Sequence, residues 1–306
     1  MKSVNISKVI QQRRTELGLT REQVCEGICS PMTLLRIEQG TNTPSKYIIE
    51  ALAQRLGLSL ERFSYMLSDE DFELEELKRK AVDYSWQRRF AELLEVGEEI
   101  EKHPRFKEDN ILRQFVERVK MSSELYGNEN PEKHIKLLEN TVKLTVPKYS
   151  ENAIENLVLS KEEIKVINLI ANCYIDEGID SERAISIYKK LLNNVEKNYL
   201  DGADRHELII LLTYNLSRAL GRMDYYKEAL EVAENGLAVC AKYGNPSRYA
   251  ELLMNKGYGL CSIHRQQEGE FVLKTAYNIL KLIGNIQYCE ILERDCQNLF
   301  GFDVRK

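Results

Sequence analysis

Apolar side chains in the first 67 residues recur every three or four positions, which is the spacing that places them on one face of a helix. The pattern predicts five short helices around one small core, over residues 6–16, 21–26, 31–39, 47–56 and 58–67, the last with Ser59 as its cap. The residues predicted to form that core are Ile6, Val9, Ile10, Leu17, Val24, Ile28, Leu34, Ile37, Ile48, Ala51, Leu52 and Leu56.

Capping residues divide part of this segment into two helices around a tight break. Thr20 can cap the first helix, and the break follows at residues 27–29. Ser30 before Pro31 is a strong start signal, because the serine oxygen accepts orphan N–H groups and proline fits the first helical position. Gly40 is the matching stop. Two short helices around such a break indicate a helix-turn-helix, whose second helix enters the major groove of DNA.

The remaining 239 residues show helical periodicity and almost no strand pattern. Short connections between helices of 15 to 20 residues predict antiparallel hairpins. The predicted helices lie near residues 69–82, 84–102, 107–126, 131–145, 161–177, 181–197, 204–221, 225–242, 246–263, 265–283 and 285–299.

Small and apolar residues repeat along the second half of this region. The copies begin at Ala184, Ala229 and Gly269, so their spacings are 45 and 40 residues. This pattern resembles degenerate tetratricopeptide repeats, whose helix pairs stack into a superhelix because no pair buries its own apolar face. We therefore predict an all-α chain, with a helix-turn-helix domain over residues 1–67 and a right-handed tetratricopeptide-like superhelix over residues 68–306. The positions that carry the repeat are Ala184, Tyr188, Leu191, Ala229, Ala233, Gly236, Gly269, Leu273 and Ala276.

Charge is divided unevenly between the two predicted domains. Residues 1–64 hold nine Lys and Arg against six Glu, a net +3, so a total of −5 leaves −8 for the remainder. A basic head on an acidic body fits DNA binding confined to the head. A single +3 domain binds DNA weakly, which favours a homodimer that places two heads on two half-sites.

The sequence gives little support to three other interpretations, a membrane protein, a metal-binding protein and an enzyme. No apolar run reaches a membrane span, and the N-terminus lacks the apolar stretch of a signal peptide, so we expect a cytoplasmic protein without a membrane partner. The seven scattered cysteines are typical of reduced thiols, and the pair Cys25 and Cys29 has no second ligand cluster nearby. The four histidines are far apart, and phosphate-loop and zinc-protease motifs are missing. We therefore expect no catalytic residue, no metal and no cofactor.

The blocks LGLT, RIEQG and TPS follow one another with characteristic gaps over residues 5–67. They resemble the xenobiotic-response-element and lambda-repressor type of helix-turn-helix. The resemblance implies an ion pair between Arg14 and Glu38 that ties the first helix to the third. It also implies base contacts from Pro31, Met32, Thr33 and Arg36, and phosphate contacts from Arg21, Ser30, Gln39, Thr41 and Asn42.

The chemistry of these residues agrees with that assignment. Arg36 can bond guanine through O6 and N7, and Met32 or Thr33 can lie against a thymine methyl group. The alternative for Arg36 is a solvated side chain on an exposed face. Pro31 departs from the Gln or Arg that family members often carry near this position, so readout there is expected to be apolar or steric.

Stacked helix pairs leave a concave groove, and such grooves commonly hold a peptide. Polar residues on the first helix of each predicted pair are the candidates to line it, since an asparagine can both donate to and accept from a peptide backbone. Alternatively, each asparagine is merely exposed or caps a turn. The candidates are Asn168, Asn172, Asn215, Arg218, Asn255 and Tyr258.

The layout of the whole chain resembles the RRNPP group of Gram-positive quorum-sensing regulators, of the Rgg, PlcR and PrgX type. This resemblance implies a homodimeric transcription factor that binds double-stranded DNA and responds to a short signalling peptide. Two alternatives stay open, a repeat domain that docks a protein instead of a peptide, and a head that has lost DNA binding. The last helices, residues 265–299, carry apolar residues that can form a dimer surface or close the superhelix: Leu273, Ile279, Leu280, Ile283, Ile291, Leu292 and Leu299.

Overall fold

The computed structural model describes residues 6–41, 46–58, 69–87, 89–107, 109–124, 130–199, 202–246 and 248–306. All regular structure in these ranges is helical, and no strand occurs within them, so the predicted all-α fold class is confirmed. The helices are α1 (Ile6–Glu16), α2 (Arg21–Cys25), α3 (Pro31–Glu38), α4 (Lys46–Arg55), α5 (Asp69–Trp86), α6 (Phe90–Glu101), α7 (Asn110–Glu124), α8 (Pro131–Lys143), α9 (Lys161–Asp176), α10 (Ser181–Asn198), α11 (Ala203–Arg222), α12 (Tyr226–Tyr243), α13 (Tyr249–Ser262), α14 (Gln266–Leu282) and α15 (Ile286–Asp295).

The predicted helices of the head agree with α1 to α4 within one residue at each end. The predicted fifth helix lies outside the described residues except for Leu58. The inward faces form one cluster of fully buried side chains, Ile10, Val24, Leu34, Ile37, Leu52 and Leu56. The periodicity therefore identified the core of the head correctly. The boundary predicted between residues 67 and 68 falls outside the described residues and stays a prediction.

Most helices beyond the head also begin and end close to their predicted positions. The first pair is the exception, because α5 continues to Trp86 through the break predicted at residue 83, and α6 begins at Phe90 where the prediction had residue 84. No proline or glycine stands at residues 82–86 to end α5 earlier. The sequence pattern missed two short 3-10 turns, Pro104–Lys107 and Glu151–Asn156, because each is too brief to show a period. A single π turn, Cys296–Phe300, follows α15 where the prediction continued an α-helix to residue 299.

The chain forms two compact units. The first comprises Met1–Ile179 and Glu196–Leu200, so it contains the head together with α5 to α9. Within it, Tyr47 of α4 joins the apolar cluster that α5, α6 and α7 build around Leu74, Leu93 and Phe115. The head thus shares part of its core with the helices that follow it.

The second unit comprises Asp180–Val195 and Asp201–Lys306. Helices α11 to α14 pack on one another in sequence, and the small residues of the predicted repeat lie where they approach most closely. A Cβ atom built on Gly236 would lie 2.9 Å from the Leu252 side chain, and one on Gly269 would lie 2.9 Å from the backbone nitrogen of Cys261. Glycine is required at both positions because a larger residue would push the helices apart.

The apolar residues of the last two helices fall into two groups. Leu273, Leu280 and Leu292 are fully buried and close the core of the second unit. Ile283 and Leu299 are about two-thirds exposed, and the neighbouring Leu282 and Ile286, at the turn between α14 and α15, are exposed to a greater extent. The same segment therefore supplies both a cap and an apolar surface. No helix of the described chain combines the length and hydropathy required for crossing a bilayer.

Candidate nucleic-acid interface

The first helix of the motif starts at a complete capping box. The Thr20 hydroxyl accepts a hydrogen bond from the backbone N–H of Gln23 at 3.3 Å, and the Gln23 side chain accepts one from the Thr20 N–H at 2.8 Å. Each residue satisfies a donor that the helix leaves unpaired. The cap fixes the start of α2, and the hydrophobic residue Val24 faces the core of the head.

The break between α2 and α3 depends on Gly27, whose φ of +74° lies in the left-handed region that favours glycine. After the break, the Ser30 hydroxyl accepts the Thr33 N–H at 3.0 Å, and Pro31 occupies the first position of α3. These residues set where α3 begins and which of its faces turns inward.

The two faces of α3 differ sharply in exposure. Leu34 and Ile37 are fully buried in the head core, whereas Pro31, Met32 and Arg36 lie on the exposed surface. Met32 keeps 55% of its surface accessible, which is unusual for a large apolar residue. The outer face of α3 is therefore a protruding surface with an apolar first turn and a cation one turn later.

The side chains of Thr33 and Ser30 are hydrogen-bonded to each other at the start of α3. Their hydroxyl oxygens lie 2.8 Å apart, while Ser30 also accepts the Thr33 N–H. One of the two hydroxyl protons is used in this contact, and each oxygen keeps a further lone pair. The methyl group of Thr33 takes no part in the contact and is available for an apolar contact with a base. Ser30 caps α3 as an acceptor, so its predicted phosphate contact, in which it would donate, is compatible with the cap.

Glu38 at the end of α3 is buried between two arginines. Its carboxylate accepts hydrogen bonds from Arg14 Nε at 2.6 Å and Arg14 Nη2 at 3.2 Å, and from Arg21 Nε at 2.8 Å. The structure thus places Arg14 and Glu38 as the resemblance implies. Arg21, which is one-third exposed, has only its remaining N–H groups for a phosphate.

The other predicted phosphate contacts lie at the end of α3. Gln39 is the exposed C-terminal cap, and Thr41 is exposed beside it. The Thr41 hydroxyl donates to the Arg36 carbonyl at 3.2 Å, so a phosphate would have to accept the Thr41 proton in place of that carbonyl. Asn42 lies outside the described residues.

Cys25 and Cys29 flank the turn, and both thiols are held protonated. Burial raises the pKa of Cys25, and it raises the pKa of Cys29 to about 12. Both side chains also belong to the apolar core of the head, where Cys25 is buried and Cys29 is partly buried.

The six residues predicted to bind a peptide are divided between the two units. Asn168 and Asn172 lie on α9 in the first unit, and Asn168 is buried. In the second unit, Asn255 donates through its amide nitrogen to the Tyr214 carbonyl at 3.0 Å and to Ser217 Oγ at 2.8 Å. These bonds fix the orientation of the Asn255 amide against α11, and the amide oxygen is the group of this side chain that can act as an acceptor.

The other three candidates belong to the same unit as Asn255. Asn215 is buried on α11, and Arg218 is partly buried on the same helix. Tyr258 donates to Asp295 Oδ2 at 3.1 Å, and burial is the main cause that raises its pKa. Tyr258 therefore links α13 to α15, which is a role in the fold that its position on the first helix of a pair did not predict.

Sequence reasoning missed one buried group, the Arg55 guanidinium at the end of α4. Arg55 pairs with Glu163, and each side chain is only 2% exposed. Two sequence signals pointed to them. Arg55 stands three residues after Leu52 on the inward stripe of α4, and Glu163 is the third residue after the capping Ser160. Their 108-residue separation hid the partnership.

Comparison with known proteins identifies the type of domain that contains α2 and α3. Residues 10–63 match the family model HTH_3, described as helix-turn-helix. The match begins within α1 and ends within the predicted fifth helix, so α2 and α3 are the helices of a helix-turn-helix domain. No curated protein sequence matches the chain significantly.

Solved structures resemble nearly the whole chain. PlcR of Bacillus thuringiensis, in complex with the peptide PapR7 and DNA, is 20% identical with a TM-score of 0.63, and the alignment covers 94% of this chain and 98% of PlcR. ComR of S. thermophilus, in complex with DNA and its signalling peptide ComS, is 16% identical with a TM-score of 0.54, covering 94% and 97%. Apo PlcR gives a TM-score of 0.60 at 19% identity. At these identities the likeness establishes the fold.

Proposed function

We propose that this chain is a sequence-specific DNA-binding transcriptional regulator controlled by a short signalling peptide. The observation that carries the proposal is the geometry of α3. Leu34 and Ile37 anchor one face in the head core, while Pro31, Met32 and Arg36 stand out from the other. An anchored helix with an exposed reading face is what insertion into a major groove requires.

The fold supports the peptide part of the proposal. PlcR and ComR, which share this fold over nearly the full chain, were each solved with both DNA and a peptide. In this chain, the fixed amide of Asn255 offers an acceptor to a peptide backbone N–H, and its neighbours Asn215 and Arg218 lie on the adjoining helix α11. We propose that these residues, with Asn168, Asn172 and Tyr258, take part in peptide recognition.

The active form in this proposal is a homodimer in the cytoplasm. One head with a net charge of +3 gives weak, strongly salt-dependent affinity, and two heads on two half-sites multiply it. Residues 1–67 would supply DNA binding, and residues 68–306 would supply peptide binding and dimerisation. The proposal assigns the chain no catalytic role and no cofactor.

The DNA proposal is tested by selecting duplexes from a random library with the full chain. Arg36→Ala is expected to weaken binding to the selected sequence by about 1–3 kcal/mol, because a bidentate guanine contact is lost. Arg79→Ala is the matched control, since Arg79 is an exposed arginine of α5 that pairs with Glu76 and lies outside the head. Equal affinities for the three proteins, or no enriched sequence, would remove the DNA-reading assignment.

The peptide proposal is tested on the same complex. Peptides extracted from the culture medium of the host are added, and the affinity for the selected duplex is measured. A change in affinity supports the proposal, and Asn255→Ala should reduce that change while Asn140→Ala, at an exposed position of α8, should not. An unchanged affinity in every fraction, with DNA binding intact, would favour a protein partner for the repeat domain.

A further inference from the structure

The Arg55 guanidinium joins the helix-turn-helix to the helices of the body. Its Nη1 donates to the carbonyl oxygens of Val24, at 3.2 Å, and of Glu26. Its Nη2 donates to the Thr145 carbonyl at 3.2 Å and to the Glu163 carboxylate. One side chain therefore binds the end of α2 and, at the same time, two groups beyond the head.

The turn after α2 also rests directly on the segment that follows α8. A Cβ atom built on Gly27 would lie 2.5 Å from the Thr145 Cα, so only a hydrogen atom fits between the two backbones. Lys148 Nζ lies 3.2 Å from the carboxylate of Glu26, the residue before Gly27. Backbone apposition and an ion pair thus hold the same turn that Arg55 holds.

The far end of this contact belongs to α9. Glu163 uses one carboxylate oxygen for Arg55 and the other for the Ser160 N–H at 2.6 Å, which is the capping box that starts α9. A displacement at the start of α9 therefore moves the carboxylate that holds Arg55. Arg55 in turn binds the carbonyl oxygens at the end of α2. A displacement of α9 is therefore transmitted to the helix-turn-helix through two contacts, from Glu163 to Arg55 and from Arg55 to these carbonyls.

We propose that this joint, made by Gly27, Arg55, Thr145 and Glu163, sets the orientation of the DNA-reading helix relative to the first helices of the body. Arg55 is a positioning residue, because it touches the turn that precedes α3 and leaves the reading face free. The joint makes the head a fixed part of the first unit. For a dimer, fixed heads mean one preferred distance between half-sites. This role in DNA recognition rests on the proposed function, whereas the joint itself does not.

Gly27→Ala tests the joint in the full chain, with Gly18→Ala as its matched control. Both glycines have positive φ, +74° and +66°, so alanine strains the backbone at both. Only Gly27 faces another backbone, since nothing lies within 4 Å of a Cβ on Gly18. Amide hydrogen exchange at residues 24–29 and 144–149 is expected to accelerate together, by about tenfold, in Gly27→Ala alone. Equal protection of residues 144–149 in both variants would overturn the joint.

A second pair of variants tests the charged half of the joint. Arg55→Met leaves Glu163 buried without its cation, whereas Arg55→Met combined with Glu163→Met leaves no buried charge unpaired. The double variant should keep the slow exchange of the head core around Leu34 and Leu52 while residues 24–29 and 144–149 exchange faster. If residues 24–29 and 144–149 of the double variant exchange as slowly as in the wild type, Arg55 does not hold the turn against the body.

The role in recognition is measured with duplexes that carry two selected half-sites at different separations. One added base pair rotates the second half-site by about 34° around the DNA axis. The wild type is expected to prefer one separation, and Gly27→Ala and the double variant should bind several separations within about threefold of one another. The same steep preference in all variants would refute the positioning role. If the wild type binds no duplex, the proposed function fails while hydrogen exchange still decides the joint.

Discussion

Glu38 Oε1 accepts a hydrogen bond from Arg14 Nε at 2.6 Å, and no part of the Glu38 side chain is exposed. The contact ties the end of α3 to α1. A buried carboxylate is stable only while its cationic partners remain in contact with it. If a partner is removed, the desolvation penalty of the remaining buried charge is no longer offset. Arg14 and Glu38 therefore fix the C-terminal end of the reading helix, and Ser30 fixes its start.

Removing the Glu38 charge should loosen α3. Glu38→Gln leaves the mostly buried Arg14 without a counterion, so we expect the free energy of local opening at α3 to fall by about 3 kcal/mol. Glu16→Gln is the control, because Glu16 is half exposed and lies 3.5 Å from Arg13, a pair worth under about 0.5 kcal/mol. Hydrogen exchange of the α3 amides measures both. Similar losses in the two variants would contradict the structural role of Glu38.

The apolar first turn of α3 predicts readout of thymine methyl groups. Met32 is exposed, and Thr33 beside it is partly exposed, with its hydroxyl oxygen 2.8 Å from that of Ser30. Replacing single thymines of a selected half-site with deoxyuridine should weaken binding about fourfold at one or two positions, the worth of about one buried methyl group. Met32→Ala should reduce this sensitivity. Thymines outside the half-site serve as controls, and an operator indifferent to every replacement would exclude methyl readout.

Acid should weaken the first unit through Glu162. Burial by itself raises the pKa of this carboxylate, but the charges of Arg118, at 2.8 Å, and Lys165 outweigh it and lower the pKa from 4.5 to about 2. A lowered pKa stabilises the fold above pH 4.5, and this contribution is lost as the pH falls towards 2. Urea midpoints measured between pH 2 and 5 should fall less steeply for Glu162→Gln than for the wild type. Glu132→Gln, at an exposed position of α8, should follow the wild type.

The apolar surface between α14 and α15 is expected to contribute to the dimer. Leu282 is 87% exposed and Ile286 71%, whereas the apolar residues beside them that close the core are buried. Leu282→Glu combined with Ile286→Glu should weaken self-association by at least about tenfold, because each charge would be buried at the interface. Leu137→Glu on α8 is the control at another exposed leucine. Sedimentation measures the effect, and an unchanged dimer constant would place the interface elsewhere.

The features that the sequence predicted are those that depend on neighbouring residues. Caps at Thr20 and Ser30, the stop at Gly40 and the small residues at Gly236 and Gly269 act within a few positions of the chain, or repeat at a regular interval. Periodicity therefore located the helices and the buried faces. The family resemblance added the partnership of Arg14 with Glu38, which periodicity alone does not reveal.

The features that were missed depend on distant partners. Arg55 and Glu163 are 108 residues apart, and each has an ordinary local interpretation, as a solvated helix end and as part of a capping box. The hydrogen bond from the Tyr258 hydroxyl to Asp295 on α15 was not predicted either, while the part of Tyr258 in peptide binding stays a prediction. Which polar group a side chain meets depends on how helices stack, and a pattern read along one helix does not contain that information.

The contact between Gly27 and Thr145 bears on how such proteins can be recombined. A head excised at residue 67 and grafted onto another body would carry a buried guanidinium with half of its acceptors left behind. Designers who wish to exchange specificities would do better to transplant the outward side chains of α3 alone, or to move the segment from Thr145 to Glu163 together with the head. The transferable cassette is then larger than the motif that reads the DNA.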